Sequence, residues 1–235
     1  MPTGEHHEDE AGGEGSPCHV GVLGGTGPAG QGLAARLASV GVKVTVGSRS
    51  HDRAAECCTK LTQQWASRGL EVIPGDNAAA AEADLVVVAT PWEAAAPTVS
   101  ALKSQLDGKV VLSMANALTL VGNEFVPLIP PRGSVAAWIQ AAVPSARVAA
   151  ALHHVPAREL AELDHELNAD VLVCSDHPDA KAAVSRLIAR MPGLRPLDAG
   201  ALASASAIEA LTPVLLQINR RYRTRASIRL TNIDL

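Results

Sequence analysis

Short apolar runs alternate with stretches of helical periodicity along most of the chain. Val20–Leu23, Lys43–Val46, Asp84–Ala89, Lys109–Ser113, Val148–Leu152 and Asp170–Cys174 read as strands. Runs such as Leu85-Val86-Val87-Val88 show no polar alternation, which marks strands covered on both faces. Between them, Leu33, Leu37 and Val40 recur at helical spacing, and residues 51–68 and 134–143 read as helices. Pro178 opens a further helix running to about Arg190. Gly200 to about Asn219 predicts a long helix, with a bend expected at Pro213. Glu71-Val72-Ile73 predicts a short edge strand, Pro127, Pro130 and Pro131 mark a loop, and the tail alternates from Ala226 to Leu230. Strand and helix in turn predict an α/β chain around a mostly parallel sheet. No repeat or flexible linker interrupts the order.

The first strand breaks into a glycine-dense turn containing Gly25-x-Gly27-x-x-Gly30, with Thr26, Pro28 and Ala29 between, and a helix follows. This is the strand, turn and helix that hold a dinucleotide pyrophosphate. The glycines let the backbone approach the phosphates, and the helix start offers unpaired amides to the anion. An NAD site usually places an acid about twenty residues on, for the ribose hydroxyl. Gly47 stands there instead, followed by Ser48 and Arg49, with Arg53 close behind. A hydroxyl and two guanidiniums suit a 2′-phosphate, so NADP is expected over NAD. Ser50 as a helix cap and solvated arginines are the plainer structural roles for this stretch.

Ligands in such folds lie beyond the carboxyl ends of the strands. That edge receives Thr90-Pro91-Trp92-Glu93, Asn116 and His153-His154-Val155-Pro156-Ala157. Trp92 is suited to cover a ribose or nicotinamide, or to pack in the core.

Composition narrows the classes further. The chain has 235 residues, 47% hydrophobic and 19% charged, enough for one domain or two small ones. Aromatics are 2%, so Ala, Val, Leu and Ile must build the core. Residues 1–18 hold Glu5, Glu8, Asp9, Glu10 and Glu14 and no Lys or Arg, so the net charge of −4 belongs to a polar tail expected to be disordered. His6 and His7 could bind a stray metal there, but a solvated tail is the economical reading. The remainder has no strong field to recruit nucleic acid or a membrane. Cys18, Cys57, Cys58 and Cys174 lack metal-ligand spacing. A reduced, cytoplasmic chain without a metal site is expected, with no membrane span or export signal. No Ser-His-Asp set or paired carboxylates emerge.

Several longer motifs carry a resemblance. Leu23-Gly24-Gly25-Thr26-Gly27-Pro28-Ala29-Gly30-Gln31-Gly32-Leu33-Ala34, Val46-Gly47-Ser48-Arg49, Pro91-Trp92-Glu93, Ala151-Leu152-His153 with Pro156-Ala157, and Gly193-Leu194-Arg195-Pro196-Leu197-Asp198-Ala199-Gly200 occur in this order. Together they resemble the NADPH-dependent reductases of coenzyme F420, the F420:NADP oxidoreductases, over roughly residues 19–230. The resemblance implies a Rossmann-type doubly wound domain over residues 19–177. It also implies a smaller C-terminal α/β domain over 178–235 that completes a deazaflavin cleft, and a homodimer. By motif, Gly25, Thr26, Gly27, Pro28, Ala29 and Gly30 would line the pyrophosphate, and Ser48, Arg49 and Arg53 the 2′-phosphate. Trp92, Asn116 and Ala157 would border the nicotinamide. His153 would reach toward the deazaflavin as a positioning group, not an obligate acid or base, and Thr212 would join it on the substrate side. Archaeal members carry an arginine where this chain has Ser206, so no role is carried to that position.

The implied activity moves a hydride between NADP(H) and F420, in the direction of F420 reduction. Two rivals use the same fold: an NADP-dependent hydroxyacid or imine reductase, which commonly needs a catalytic lysine, and a non-catalytic NADP-sensing module. Lys181 lies early in an amphipathic helix, where solvation is the plainer role. The basic run Arg220, Arg221, Arg223, Arg225 and Arg229 suits the anionic tail of the deazaflavin, a dimer partner, or plain solvation.

Overall fold

In the computed structural model, the described residues are 19–233, so the expected tail of residues 1–18 lies outside them. The chain forms β1 (His19–Leu23), α1 (Pro28–Ser39), β2 (Lys43–Ser48), α2 (His51–Gln64), β3 (Val72–Asp76), α3 (Asn77–Ala81), β4 (Leu85–Val88) and α4 (Trp92–Ala101). It continues through β5 (Val110–Ser113), β6 (Leu118–Val121), β7 (Glu124–Pro127), α5 (Val135–Ala142), β8 (Arg147–Ala150) and α6 (Ala157–Ala161). It ends with β9 (Ala169–Ser175), α7 (Pro178–Ala189), β10 (Leu194–Asp198) and α8 (Ala205–Tyr222).

Eight strands make one sheet in the order β10-β9-β8-β5-β4-β1-β2-β3. The six from β3 to β8 run parallel, in the doubly wound order whose direction of winding reverses between β1 and β4. β9 pairs antiparallel with β8, and β10 runs parallel to β9. This is the Rossmann-type, mostly parallel sheet that the strand pattern predicts. Side chains alternate between two cores. Leu85 and Val87 join Val20, Val44, Leu33 and Leu37 on one face, while Val86 and Val88 join Val99, Leu106, Val111 and Ile139 on the other.

The differences from the sequence expectations have local causes. Helix α2 stops at Gln64, and a separate 3-10 turn, Ala66–Arg68, ends at Gly69 with φ of 60°. The five-residue helices α3 and α6 are too short for periodicity to reveal. The β6–β7 hairpin, turning at Gly122 with φ of 58°, lies in a stretch to which the sequence pattern assigns no element, just before the proline-marked loop. Its arms are four residues each and mostly exposed, so no core-facing pattern marks them. Gly200, with φ of 87°, and a 3-10 turn at Leu202–Ser204 delay the start of α8 to Ala205. Pro213 lies inside that helix. The alternating tail forms no strand.

Arg36 fastens α1 to α6. Its buried guanidinium donates to the carbonyls of Leu160, His165, Glu159 and Glu162. Gly32 allows the approach, because a Cβ there would stand 2.8 Å from the Ala157 carbonyl. The start of α6 is thereby fixed beside the start of α1.

Gly21 has the same function between β1 and α3, where a Cβ would stand 1.8 Å from the Ala80 carbonyl. Gly21→Ala is expected to push α3 off the sheet and cost about 2–3 kcal/mol. Thermal unfolding reads this directly, and an unchanged midpoint would contradict the close seating of α3.

Candidate active site

The parallel strands end along one edge, and a cleft of about 590 Å³ opens there. That volume is within the usual range for small-molecule sites. One wall comes from Ala29 on α1, Ala89-Thr90 after β4, Met114–Asn116 after β5, and Leu152–Arg158 after β8. The facing wall comes from Thr212, Leu215, Leu216 and Asn219 on α8, and from Thr224–Ala226 beyond it.

The glycine turn is built at the end of β1. Gly24 takes φ of 71°, where a side chain would be strained. Gly25 N donates to Gly47 O at 2.9 Å, and Gly27 N donates to Gly24 O at 3.1 Å. A Cβ on Gly30 would meet Gly25 Cα at 2.7 Å, so the turn closes tightly on itself. Helix α1 then starts at Pro28 with no side-chain cap on Gly27. Its first-turn amides are therefore free to meet an anion, and the site fits a dinucleotide pyrophosphate.

The Gly25–Gly47 bond also sets the end of β2 beside this turn, and Ser48, Arg49 and Arg53 come with it. Ser48 is buried, and its hydroxyl accepts from Ser50 N at 3.2 Å. Ser50 caps α2 by accepting from Arg53 N at 3.4 Å. Arg49 and Arg53 are exposed, and neither is ion-paired among the described residues. This group stands next to the glycine turn but outside the lining of the cleft.

Ala29, Asn116, His153, Ala157 and Thr212 come together in the cleft. Thr212 links the walls, its hydroxyl lying 2.9 Å from Asn116 Oδ1 and 3.1 Å from the His153 carbonyl. The hydroxyl has one proton. With it donated to His153 O, the Asn116 amide turns its NH2 toward Thr212. Trp92 stands apart: it packs tilted against Trp138 with ring centroids 6.3 Å apart, and it does not line the cleft. Its buried Nε1 has no partner.

The His153 ring is wholly shielded from solvent, and neither nitrogen finds a hydrogen-bond partner. Burial, aided by neighbouring His154, pushes its pKa down to about 3, so the ring is neutral at ordinary pH. Its Nε2 lies 4.0 Å from Glu209 Oε1. The cleft therefore meets His153 through its carbonyl and Thr212 more than through its ring. His154 Nε2 donates to Ile208 O at 2.6 Å, which ties the same loop to α8. Leu152, just before, has φ of 67°, a strained conformation for a branched side chain.

Glu209 reaches from α8 to the start of α5, accepting from Val135 N at 2.8 Å and Ala136 N at 3.1 Å. The two amides favour its ionised form, but burial outweighs them and pushes its pKa up to about 7. Sequence reasoning missed Glu209 because nothing local marks it. It also missed Asn77, whose Oδ1 lies 3.4 Å from Gly24 N and which no local pattern marks. Thr90, which the sequence places at this edge, lines the cleft, and its buried Oγ1 has no partner. No group of residues able to hold a metal ion occurs among the described residues.

This geometry has counterparts among known proteins. A family model described as NADP oxidoreductase, coenzyme F420-dependent, matches residues 19–117. The F420-dependent NADP reductase of Methanocaldococcus jannaschii is 36% identical over 222 residues, covering 92% of this chain and 99% of that protein. The one from Methanothermobacter marburgensis is 34% identical over 220 residues, covering 91% and 98%. A crystal structure from Arthrobacter sp. FB24, provisionally described as an F420-dependent NADP reductase, superposes with a TM-score of 0.75 at 26% identity. It covers 89% of this chain and 96% of that one.

The raised pKa of Glu209 has a defined pH signature. Its folded form holds a proton that the unfolded chain releases above the ordinary value of 4.5. Its contribution is therefore fully present below pH 4.5 and is lost as pH rises to about 7. Denaturant titrations of wild type and Glu209→Gln should show a stability difference that declines through this window. A difference independent of pH would contradict the assignment.

Proposed function

Because the chain belongs to the F420-dependent NADP oxidoreductase family, we propose that this cleft brings NADP(H) and F420 together for direct hydride transfer, in the direction of F420 reduction. NADPH bound there supplies a hydride from C4 of its nicotinamide, which F420 accepts at C5. The observation that carries this reading is the lining itself, which contains no carboxylate and no lysine. Hydride arrival at C5 leaves a negative charge delocalised over the deazaflavin ring, which takes its proton from solvent, so the transfer creates no alkoxide and needs no dedicated general acid. Residues are then required to orient the rings and exclude water. Hydroxyacid or imine reduction would need a proton donor here. Lys181 does not serve, because its ammonium, on α7, is paired with Asp198 at the end of β10 at 2.8 Å and does not line the cleft.

In this reading, the free amides of α1 and the glycine turn from Gly25 to Gly30 hold the pyrophosphate. Ser48, Arg49 and Arg53 hold the 2′-phosphate. Asn116 and Ala157 border the nicotinamide. Thr212 touches the substrate side, and His153 positions it by fixing the loop. Trp92, packed on Trp138 outside the cleft, is given no direct contact with the nicotinamide. Residues 178–235 complete the deazaflavin side, since they supply α8 and the segment after it. We further place the enzyme in the cytoplasm as a homodimer. Buried free thiols at Cys57, Cys58 and Cys174 support the reducing compartment. The exposed Leu120, Val121, Ile129 and Val214 around the hairpin and α8 support a self-contact. Among the described residues, no helix is long and apolar enough to cross a membrane.

Mixing the protein with NADPH and oxidised F420 should bleach the deazaflavin absorbance in step with NADPH oxidation. Turnover of small oxo-acids with NADPH and no deazaflavin would overturn the reading. Loss of one charge-assisted contact in Arg49→Ala should weaken NADPH binding about ten- to hundredfold and leave NADH nearly unaffected. An unchanged preference between the two nucleotides would remove Ser48, Arg49 and Arg53 from the 2′-phosphate site.

A further inference from the structure

We propose that residues 224–230 form a strap that closes the outer wall of the cleft, and that Arg195, clamped on Asp170, is the positioning residue that holds it. The strap begins where α8 ends, at Arg223 with φ of 51°. Thr224, Arg225 and Ala226 then line the cleft. They are held at the helix end by Asn219, whose carbonyl accepts from Thr224 N at 3.1 Å and whose Oδ1 accepts from Ala226 N. Arg225 reaches across to Glu159 at 2.9 Å.

The far end forms no strand or helix, and most of its contacts gather on the Asp170–Arg195 pair, with Ser227 Oγ also donating to Asn168 O at 3.3 Å and the Arg229 guanidinium 3.4 Å from Asp170. Asp170 lies on β9 with a side chain fully shielded from solvent. It accepts from Arg195 Nε at 2.7 Å and Nη2 at 2.8 Å, a two-pronged contact that only a guanidinium can make. The same carboxylate accepts from Leu230 N at 2.6 Å, and Asp170 N donates to Ile228 O at 2.8 Å. Arg195 also donates to Leu230 O at 2.8 Å and Ile233 O at 3.2 Å. These contacts hold the Asp170 carboxyl below its ordinary pKa, so the clamp stays charged at neutral pH. Arg195 sits in Gly193-Leu194-Arg195-Pro196-Leu197-Asp198-Ala199-Gly200, and none of these residues lines the cleft. Arg195 therefore meets the cleft only through the strap.

The inference rests on F420 being the second substrate, because the strap continues from α8, the wall that faces Ala29 and the strand ends. Two variants separate the strap from general folding. Arg195→Lys keeps the charge beside Asp170 but cannot make the fork. A chain ending at Ser227 keeps the ion pair and removes the clamped end. In both, the KM for F420 should rise about tenfold while the KM for NADPH stays within about twofold. Trypsin cleavage after Arg225, followed by mass spectrometry, should be faster in both variants than in wild type. Equal shifts in both KM values, or cleavage at the wild-type rate, would overturn the proposal. If wild-type protein fails to reduce F420, the functional reading falls, while the cleavage comparison still decides whether Arg195 holds the strap.

Discussion

Helix α8 is held against the carboxyl edge of the sheet by buried polar contacts, and the cleft exists because of them. The hydroxyl of Thr212 meets the His153 carbonyl and the Asn116 amide. His154 donates to the Ile208 carbonyl, and Glu209 takes two amides from the start of α5. Each of these groups would cost free energy if buried unpaired, so together they set α8 at a fixed height over the strand ends. Apolar packing alone would let the helix settle onto the sheet and close the space. The unpartnered His153 nitrogens and the strained Leu152 backbone lie at the same junction, where stored strain commonly accompanies function.

The other wall obeys a different constraint. Gly24, Gly25, Gly27 and Gly30 let the turn close tightly on itself, so backbone stands at the uncapped start of α1 where side chains otherwise would. The Gly25–Gly47 bond carries the β2 end to the same place, which sets a serine and two exposed guanidiniums beside the glycine turn. Arg36 and Gly32 then bring α6 alongside, so that Ala157, at the start of that helix, borders the cleft from a place distant in sequence. Binding charge at one end and an apolar, acid-free cleft at the other suit a reaction that moves a hydride without a protein proton donor.

Much of this was legible in the chain. Continuous Val and Leu runs announced the parallel strands, and the spacing from Gly25 to Gly47 announced the nucleotide and its preference. Asn116 and Thr212, named through resemblance, meet in the cleft. The Arg-Pro-Leu-Asp segment was visible as a motif but mute about its role, because Arg195 acts on Asp170 and on the tail, both remote from it in sequence. Glu209 was invisible for the same reason: on α8 it reads as one more polar helical residue. The hairpin at residues 118–127 escaped because short exposed arms bury no face, so no pattern of alternation is imposed on them. Trp92 shows the opposite case, a residue whose type suited either a ligand or the core, and whose packing partner, Trp138, is set by tertiary structure.

Direct transfer requires the two rings to meet in one water-excluding cleft. The test is to supply NADPH deuterated at C4 on the transferred face, run a single turnover with oxidised F420 in ordinary water, and locate the label. Deuterium recovered at C5 of the reduced deazaflavin is the predicted result. Label lost to solvent, or retained in the nicotinamide while F420 stays oxidised, would contradict it.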